Sequence, residues 1–113
     1  MIADIDIKDF EGYQQEAWKF AKPTAKNPSY LFGNLGGETG EVLSLWSKSI
    51  RDGVKDTYSM PMELTKELGD VLWMVSGIAT YYGLSLQEIA EQNIVKLKSR
   101  QQRGVIGGSG DER

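Results

Sequence analysis

The sequence predicts an all-α chain of four helices, and three observations carry that reading. Apolar residues recur every three to four positions through long stretches, the spacing of helices with one inward face. Pro23, Gly53, Gly83 and a glycine-rich run from Gly104 punctuate those stretches at helix-length intervals. No segment makes a convincing strand.

The first helix is expected from about Ile7 to Ala21, opened by Asp6 or Asp9 and closed before Pro23. Its inward side would carry Phe10, Tyr13, Ala17 and Phe20. The second runs from about Tyr30 to Arg51, with Ser29 after Pro28 as its cap and Gly53 as its stop. A short polar connection from Asp52 to Tyr58 favours antiparallel neighbours. The third spans about Met60 to Tyr82, capped by Ser59, tolerant of Pro61 in its first turn and ended by Gly83. Ser85-Leu86-Gln87-Glu88 reads as a capping box that opens the fourth helix, which continues to about Arg103. This divides the chain into a helical domain, residues 1–103, and a glycine-rich tail, residues 104–113.

At 113 residues the chain holds one core, small enough that self-association would help it. A net charge of −3 argues against a general nucleic-acid or anionic-membrane binder. There is no long apolar run and no basic-then-apolar leader, and no cysteine points to an oxidising compartment, so a cytoplasmic location is expected. The lack of histidine is more informative. It removes the imidazole general base, the histidine-dependent nucleophile systems, nearly every zinc site and the Glu-x-x-His pairs of di-iron bundles. Any hydrolytic chemistry must use carboxylates, lysines, tyrosines and hard metal ions.

Two acidic couplets then stand out, Glu38-Thr39-Gly40-Glu41 and Glu67-Leu68-Gly69-Asp70. Spacing of i, i+3 puts both carboxylates of each couplet on one side of a helix. Leu35, Glu38, Val42, Leu45 and Ser49 form one helical stripe, and Leu64, Glu67, Val71, Met74 and Ile78 another, so Glu38 and Glu67 fall among core residues. One such pair alone is ordinarily a solvated face. Two on consecutive antiparallel helices are harder to dismiss, because like charges about 5 Å apart repel by roughly 3 kcal/mol at an effective dielectric near 20. Several such pairs would use much of a domain stability of about 5–15 kcal/mol. The site must protonate, stay wet or bind metal. Carboxylates alone suit Mg²⁺, with Mn²⁺ as a substitute, and one to three ions are expected. Gly33, Gly36, Gly37 and Gly40 crowd the first half of the second helix, where each costs about 0.5–1 kcal/mol against alanine. Either that helix frays or starts later, or a neighbour approaches closely there; Gly69 in the other couplet favours close approach.

The fourth helix supplies the opposite sign. Asn93, Lys96 and Arg100 share a face that Arg103 extends, and Lys48 is a weaker candidate on the second helix. Basic residues at a helix C-terminus also simply complement the macrodipole. Facing an acidic metal cradle, they would hold a polyphosphate. Trp18, Trp46, Trp73, Tyr13, Phe32 and Tyr30 offer a stacking wall for a base, though each is more ordinarily core or interface.

Gly37-Glu38-Thr39-Gly40-Glu41-Val42 and Glu67-Leu68-Gly69-Asp70, with 25 residues between Glu41 and Glu67, resemble the Glu-x-x-Glu and Glu-x-x-Asp signature of MazG-like, all-α nucleoside triphosphate pyrophosphohydrolases. Asn93-Ile94-Val95-Lys96-Leu97 is similar to the family's later Asn-x-x-Lys element, and the likeness covers roughly Tyr13 to Arg103. The resemblance implies a four-helix bundle that assembles as a homodimer or homotetramer. It implies Mg²⁺-dependent cleavage of (d)NTP to (d)NMP and pyrophosphate, as house-cleaning or nucleotide-pool control. Glu38, Glu41, Glu67 and Asp70 match its metal-binding positions, any of which would serve the attacking water, and Asn93 and Lys96 match positions near the substrate. Arg100 and Lys48 are added from the face argument alone. The tail ending Gly107-Gly108-Ser109-Gly110-Asp111 looks like that of some bacterial and phage relatives, without a role attached. Related bundles act on dUTP or phosphoribosyl-ATP. A non-catalytic interaction module and a nucleotide sensor that binds without hydrolysis remain as rivals.

Overall fold

In the computed structural model, the described residues are 5–53 and 59–112. Among them are four α-helices, a short 3-10 turn and no strand.

Helix α1 spans Phe10–Trp18. It is shorter than its apolar pattern suggests because Asp9 caps it, accepting from the Gly12 amide at 2.8 Å, which leaves Ile7 and Lys8 ahead of the helix. At the other end, Phe20 N–H donates to Ala17 O at 3.2 Å and Ala21 N–H to Trp18 O at 3.0 Å, tightening the chain before Pro23. Phe20 therefore lies past the helix and 79 % exposed, while Gln14 takes an inward place beside Ala17. After a 3-10 turn at Pro23–Lys26 comes α2, Pro28–Arg51. Its cap is Asn27, accepting from the Ser29 amide at 2.8 Å, with Pro28 in the first turn where its missing N–H costs nothing. Ser29 is thus inside the helix, not its cap.

Helix α3 spans Ser59–Tyr81. The connection over 54–58 and the side chain of Ser59, its expected cap, lie outside the described residues. Gly83 ends it at a φ of 67°, with Gly83 N–H donating to Thr80 O and Leu84 N–H to Ala79 O, the paired bonds of a Schellman turn. Helix α4, Leu86–Arg103, opens with Ser85 accepting from the Glu88 amide at 3.1 Å and closes on Gly104 at φ 74°.

Helices α2 and α3 form the main packed pair, with α1 laid against α3. Both predicted stripes turn inward: Leu35, Glu38, Val42, Leu45 and Ser49 on α2, and Leu64, Glu67, Val71, Met74 and Ile78 on α3, are all partly or fully buried. The tightest crossing is at Gly77, where a methyl would stand 3.1 Å from Leu31 and 3.2 Å from Trp18. Trp18 stacks on Trp73 with centroids 6.1 Å apart, and Trp73 donates its indole N–H to Ala17 O at 3.1 Å. The α2 glycines behave otherwise. The helix runs unbroken through them, and a methyl at Gly33, Gly36, Gly37, Gly40 or Gly69 would meet nothing within 4 Å. Among the described residues, no neighbouring helix makes the expected close approach at these glycines.

Helix α4 joins through its first turn. Gln14 donates to Thr80 Oγ1 at 3.0 Å and Leu84 O at 2.8 Å, and accepts from the Leu86 amide at 2.8 Å. This satisfies a buried amide while tying α1 to the α3–α4 corner. Phe10 N–H donates to Gln87 at 3.0 Å. Beyond this, Ile94 and Val95 are exposed. The Cα radius of gyration is 17.0 Å, against about 13 Å for a compact chain of this length. The open arrangement leaves an apolar stripe on α2 uncovered, with Leu43, Trp46 and Ile50 each more than half exposed.

Candidate metal centre

The antiparallel packing of α2 on α3 brings the two couplets together. Glu38 from α2 and Glu67 and Asp70 from α3 each offer one carboxylate oxygen, all within 4.8 Å of one another. Glu38 and Glu67 are partly buried and Asp70 is exposed. Glu41, one turn along α2, is exposed and stands outside this close group, yet its charge is felt there. The Glu38 carboxyl is pushed above the usual range, first by burial and then by Asp70, Glu67 and Glu41. Among the described residues, no lysine or arginine forms an ion pair with any of the four carboxylates. A donor set of clustered carboxylates without a compensating cation or any nitrogen or sulfur ligand fits a hard divalent ion.

Tyr13 of α1 lies near enough to Asp70 for its phenol to feel that charge. Burial raises its phenol above the ordinary value, and Asp70 raises it further. Tyr13 also lines a cavity of about 570 Å³ with Ile5, Ile7, Phe20 and Trp73. Trp73 follows Asp70 by three residues on α3, so the two side chains share one side of that helix, although none of the four carboxylates lines the cavity. Of the six aromatics named from sequence, Tyr13 and Trp73 line this cavity, while Trp18 backs Trp73 from the packed side. Phe32 instead meets Tyr82 edge-on, and Trp46 lies on the exposed stripe of α2.

Among the described residues, none of the expected substrate-binding side chains forms an ion pair with the carboxylates. Asn93 and Lys48 are exposed, and no hydrogen bond or ion pair joins either to the carboxylates. Lys96 and Arg100 are engaged by the tail: Asp111 accepts from Lys96 Nζ at 3.2 Å and from Arg100 Nη2 at 3.1 Å. Arg103 donates to Ser99 at 3.0 Å. Sequence reasoning gave Asp111 no role. Its partners lie 11 and 15 residues back, across a left-handed turn, and no periodic pattern announces such a pairing.

A profile of the MazG nucleotide pyrophosphohydrolase domain matches residues 26–105, a span that contains both couplets and the Asn93 to Lys96 element. The chain belongs to the MazG family. A phage relative of this MazG chain, the Gene 37 protein of Mycobacterium phage L5, is 42% identical over 88 residues, covering 75% of each chain. No solved structure matches. Among the described residues, no helix of this MazG chain is long and apolar enough to cross a membrane.

Proposed function

We propose that the chain is a Mg²⁺-dependent nucleoside triphosphate pyrophosphohydrolase, cleaving (d)NTP to (d)NMP and pyrophosphate in the cytoplasm. The observation that carries this reading is the convergence of Glu38, Glu67 and Asp70 within 4.8 Å, in a chain of the MazG family. These three, with Glu41 beside them, would hold the divalent ions. When bound, such ions neutralise triphosphate charge and lower the pKa of a water. The residues supply the rest. One carboxylate of the cluster orients the attacking water and takes its proton. The new bond forms at the α-phosphorus as its bond to the bridging oxygen breaks, and pyrophosphate departs with that oxygen. Lys96, Arg100, Asn93 and Lys48 are the groups available to receive the departing charge.

The cavity walled by Tyr13 and Trp73 supports the nucleotide half of the reading. About 570 Å³ lies within the range of small-molecule sites, and an aromatic lining suits a base. The uncovered stripe Leu43, Trp46 and Ile50 supports self-association, with a second copy as the partner. Sedimentation of the wild type beside Trp46→Lys tests that part; a monomeric wild type would contradict it. For the reaction, the eight common NTPs and dNTPs, with dUTP and phosphoribosyl-ATP, are incubated with enzyme and Mg²⁺, with and without chelator. Monophosphate plus pyrophosphate is the expected outcome. Diphosphate plus orthophosphate, or binding without turnover, would overturn it.

A further inference from the structure

The C-terminal tail occupies two cationic side chains of α4, Lys96 and Arg100. Gly104, with its left-handed φ, reverses the backbone after α4: Gly104 N–H donates to Gln101 O and Val105 N–H to Arg100 O. The returning tail lies across Arg100, whose side chain is 5 % exposed. Arg100 Nη2 donates to Asp111 O at 2.9 Å, Asp111 Oδ1 at 3.1 Å and Gly110 O at 3.4 Å. Lys96 Nζ donates to the same Oδ1 at 3.2 Å. Arg100 Nε is buried and has no hydrogen-bond partner. One carboxylate oxygen thus bridges an ammonium and a guanidinium, while a second guanidinium donor goes unused.

That vacancy bears on which ligand the site suits. A guanidinium binds oxyanions best through two parallel N–H donors, Nε and Nη2, one to each of two oxygens. The Asp111 carboxylate uses only one of its oxygens, on one of those donors. A tetrahedral phosphate can offer separate oxygens to Nε, Nη2 and the Lys96 ammonium together. Beside Lys96, Gln92, Asn93 and Ser99 line an open cleft of about 670 Å³, which leaves room for the rest of a larger anion. The opposing consideration is that the two backbone carbonyls on Nη2 also act as a structural staple, so the carboxylate and the tail are tested separately.

We propose that Lys96 and Arg100 form a phosphate-anion site that the chain's own Asp111 fills, and that a phosphate-bearing ligand exchanges with the tail. This rests on the functional reading above only for its physiological ligand, the polyphosphate end of a nucleotide or released pyrophosphate. The site itself is a property of the tail and α4. Asp111 then acts as an internal competitor, lowering apparent affinity by the fraction of molecules in which the tail is docked.

The test uses the full chain and inorganic pyrophosphate without divalent ions, so that the carboxylate cluster takes no part. By calorimetry, Asp111→Asn should bind pyrophosphate about three- to tenfold more tightly than the wild type. Arg100→Lys in the Asp111→Asn background should lose that gain. In the wild type, which needs no substitution, saturating pyrophosphate should shift the backbone resonances of Gly107 to Asp111 toward unstructured positions. A second titration with an α,β-imido nucleoside triphosphate distinguishes nucleotide from free pyrophosphate as the better occupant. Equal or weaker pyrophosphate binding by Asp111→Asn, or a tail whose resonances stay fixed at saturation, overturns the proposal. No nucleotide is hydrolysed in these titrations, so failure of the pyrophosphohydrolase reading would leave their outcome legible.

Discussion

Neutralising Glu38 probes whether the carboxylate cluster is a cation site, because the charge removed has a calculable effect. One oxygen each from Glu38, Glu67 and Asp70 lies within 4.8 Å of the others. At that distance two unit charges repel by about 0.9 kcal/mol in water and about 3.5 kcal/mol at an effective dielectric of 20. Asp70 is exposed and the two glutamates only partly buried, so about 1 kcal/mol per pair is the appropriate figure. Glu38 takes part in two of the three pairs, and Glu38→Gln should stabilise the metal-free protein by about 2 kcal/mol. That corresponds to a rise in Tm of roughly 5–10 °C for a domain of this size. In the wild type, Mg²⁺ should add about 1.4 kcal/mol for each tenfold excess over its Kd, and the variant should lose most of that gain. Thermal unfolding followed by far-UV circular dichroism, in chelator and in millimolar Mg²⁺, measures both effects. A variant no more stable than the wild type in chelator, or an equal Mg²⁺ shift in both proteins, would refute the reasoning.

Two further outcomes are expected. Gly77→Ala places a methyl 3.1 Å from the fully buried Leu31 and 3.2 Å from Trp18, and should lose about 1–2 kcal/mol despite better helix propensity. Gly69→Ala on the same helix meets nothing within 4 Å and should gain about 0.5–1 kcal/mol; urea unfolding of the two should give opposite signs, and a shared sign would contradict the packing. The Asp111 carboxyl is held below the ordinary aspartate value by its hydrogen bonds to Lys96 and Arg100. Because its docked pKa is depressed, its contribution to tail docking is complete above the ordinary aspartate range and is lost as pH falls through the lowered pKa. A side-chain carbon NMR titration should find Asp111 below its ordinary value and Lys96→Met should raise it; a normal titration in the wild type would remove the ion pair.

Much of the fold was legible because period and punctuation agreed. Glu38 and Glu67 could be assigned to inward stripes since their apolar neighbours recur at three and four, and those neighbours are buried. Gly83 and Gly104 marked helix ends because positive φ is easy only for glycine, and both have it. The misreadings share a cause: local chemistry allowed two answers. Asn27 and Ser29 could both cap α2, and Pro28 at the first helical position decides for Asn27. Asp9 could start a helix, while Ile7 extended the apolar pattern past it. Gln14, buried with three hydrogen bonds, looks in sequence like any surface glutamine, and Gly77 looks like the bare glycines of α2. The candidate site divides the same way. Its carboxylates follow from helical spacing, whereas the link between Tyr13 and Asp70 and the embrace of Arg100 by the tail depend on how separate elements meet.

Among the described residues, hydrogen bonds from α1 hold α4 at its first turn, which makes that helix a lever. Gln14 clamps its first residue, and Arg100 stands fourteen residues further along, an arm of about 21 Å at 1.5 Å per residue. Tilting it by about 5° at the Gln14 pivot would sweep the guanidinium, together with the tail bonded to it, through roughly 2 Å. A contact that shifts α1 by a fraction of its width would therefore be magnified at the basic end of the molecule.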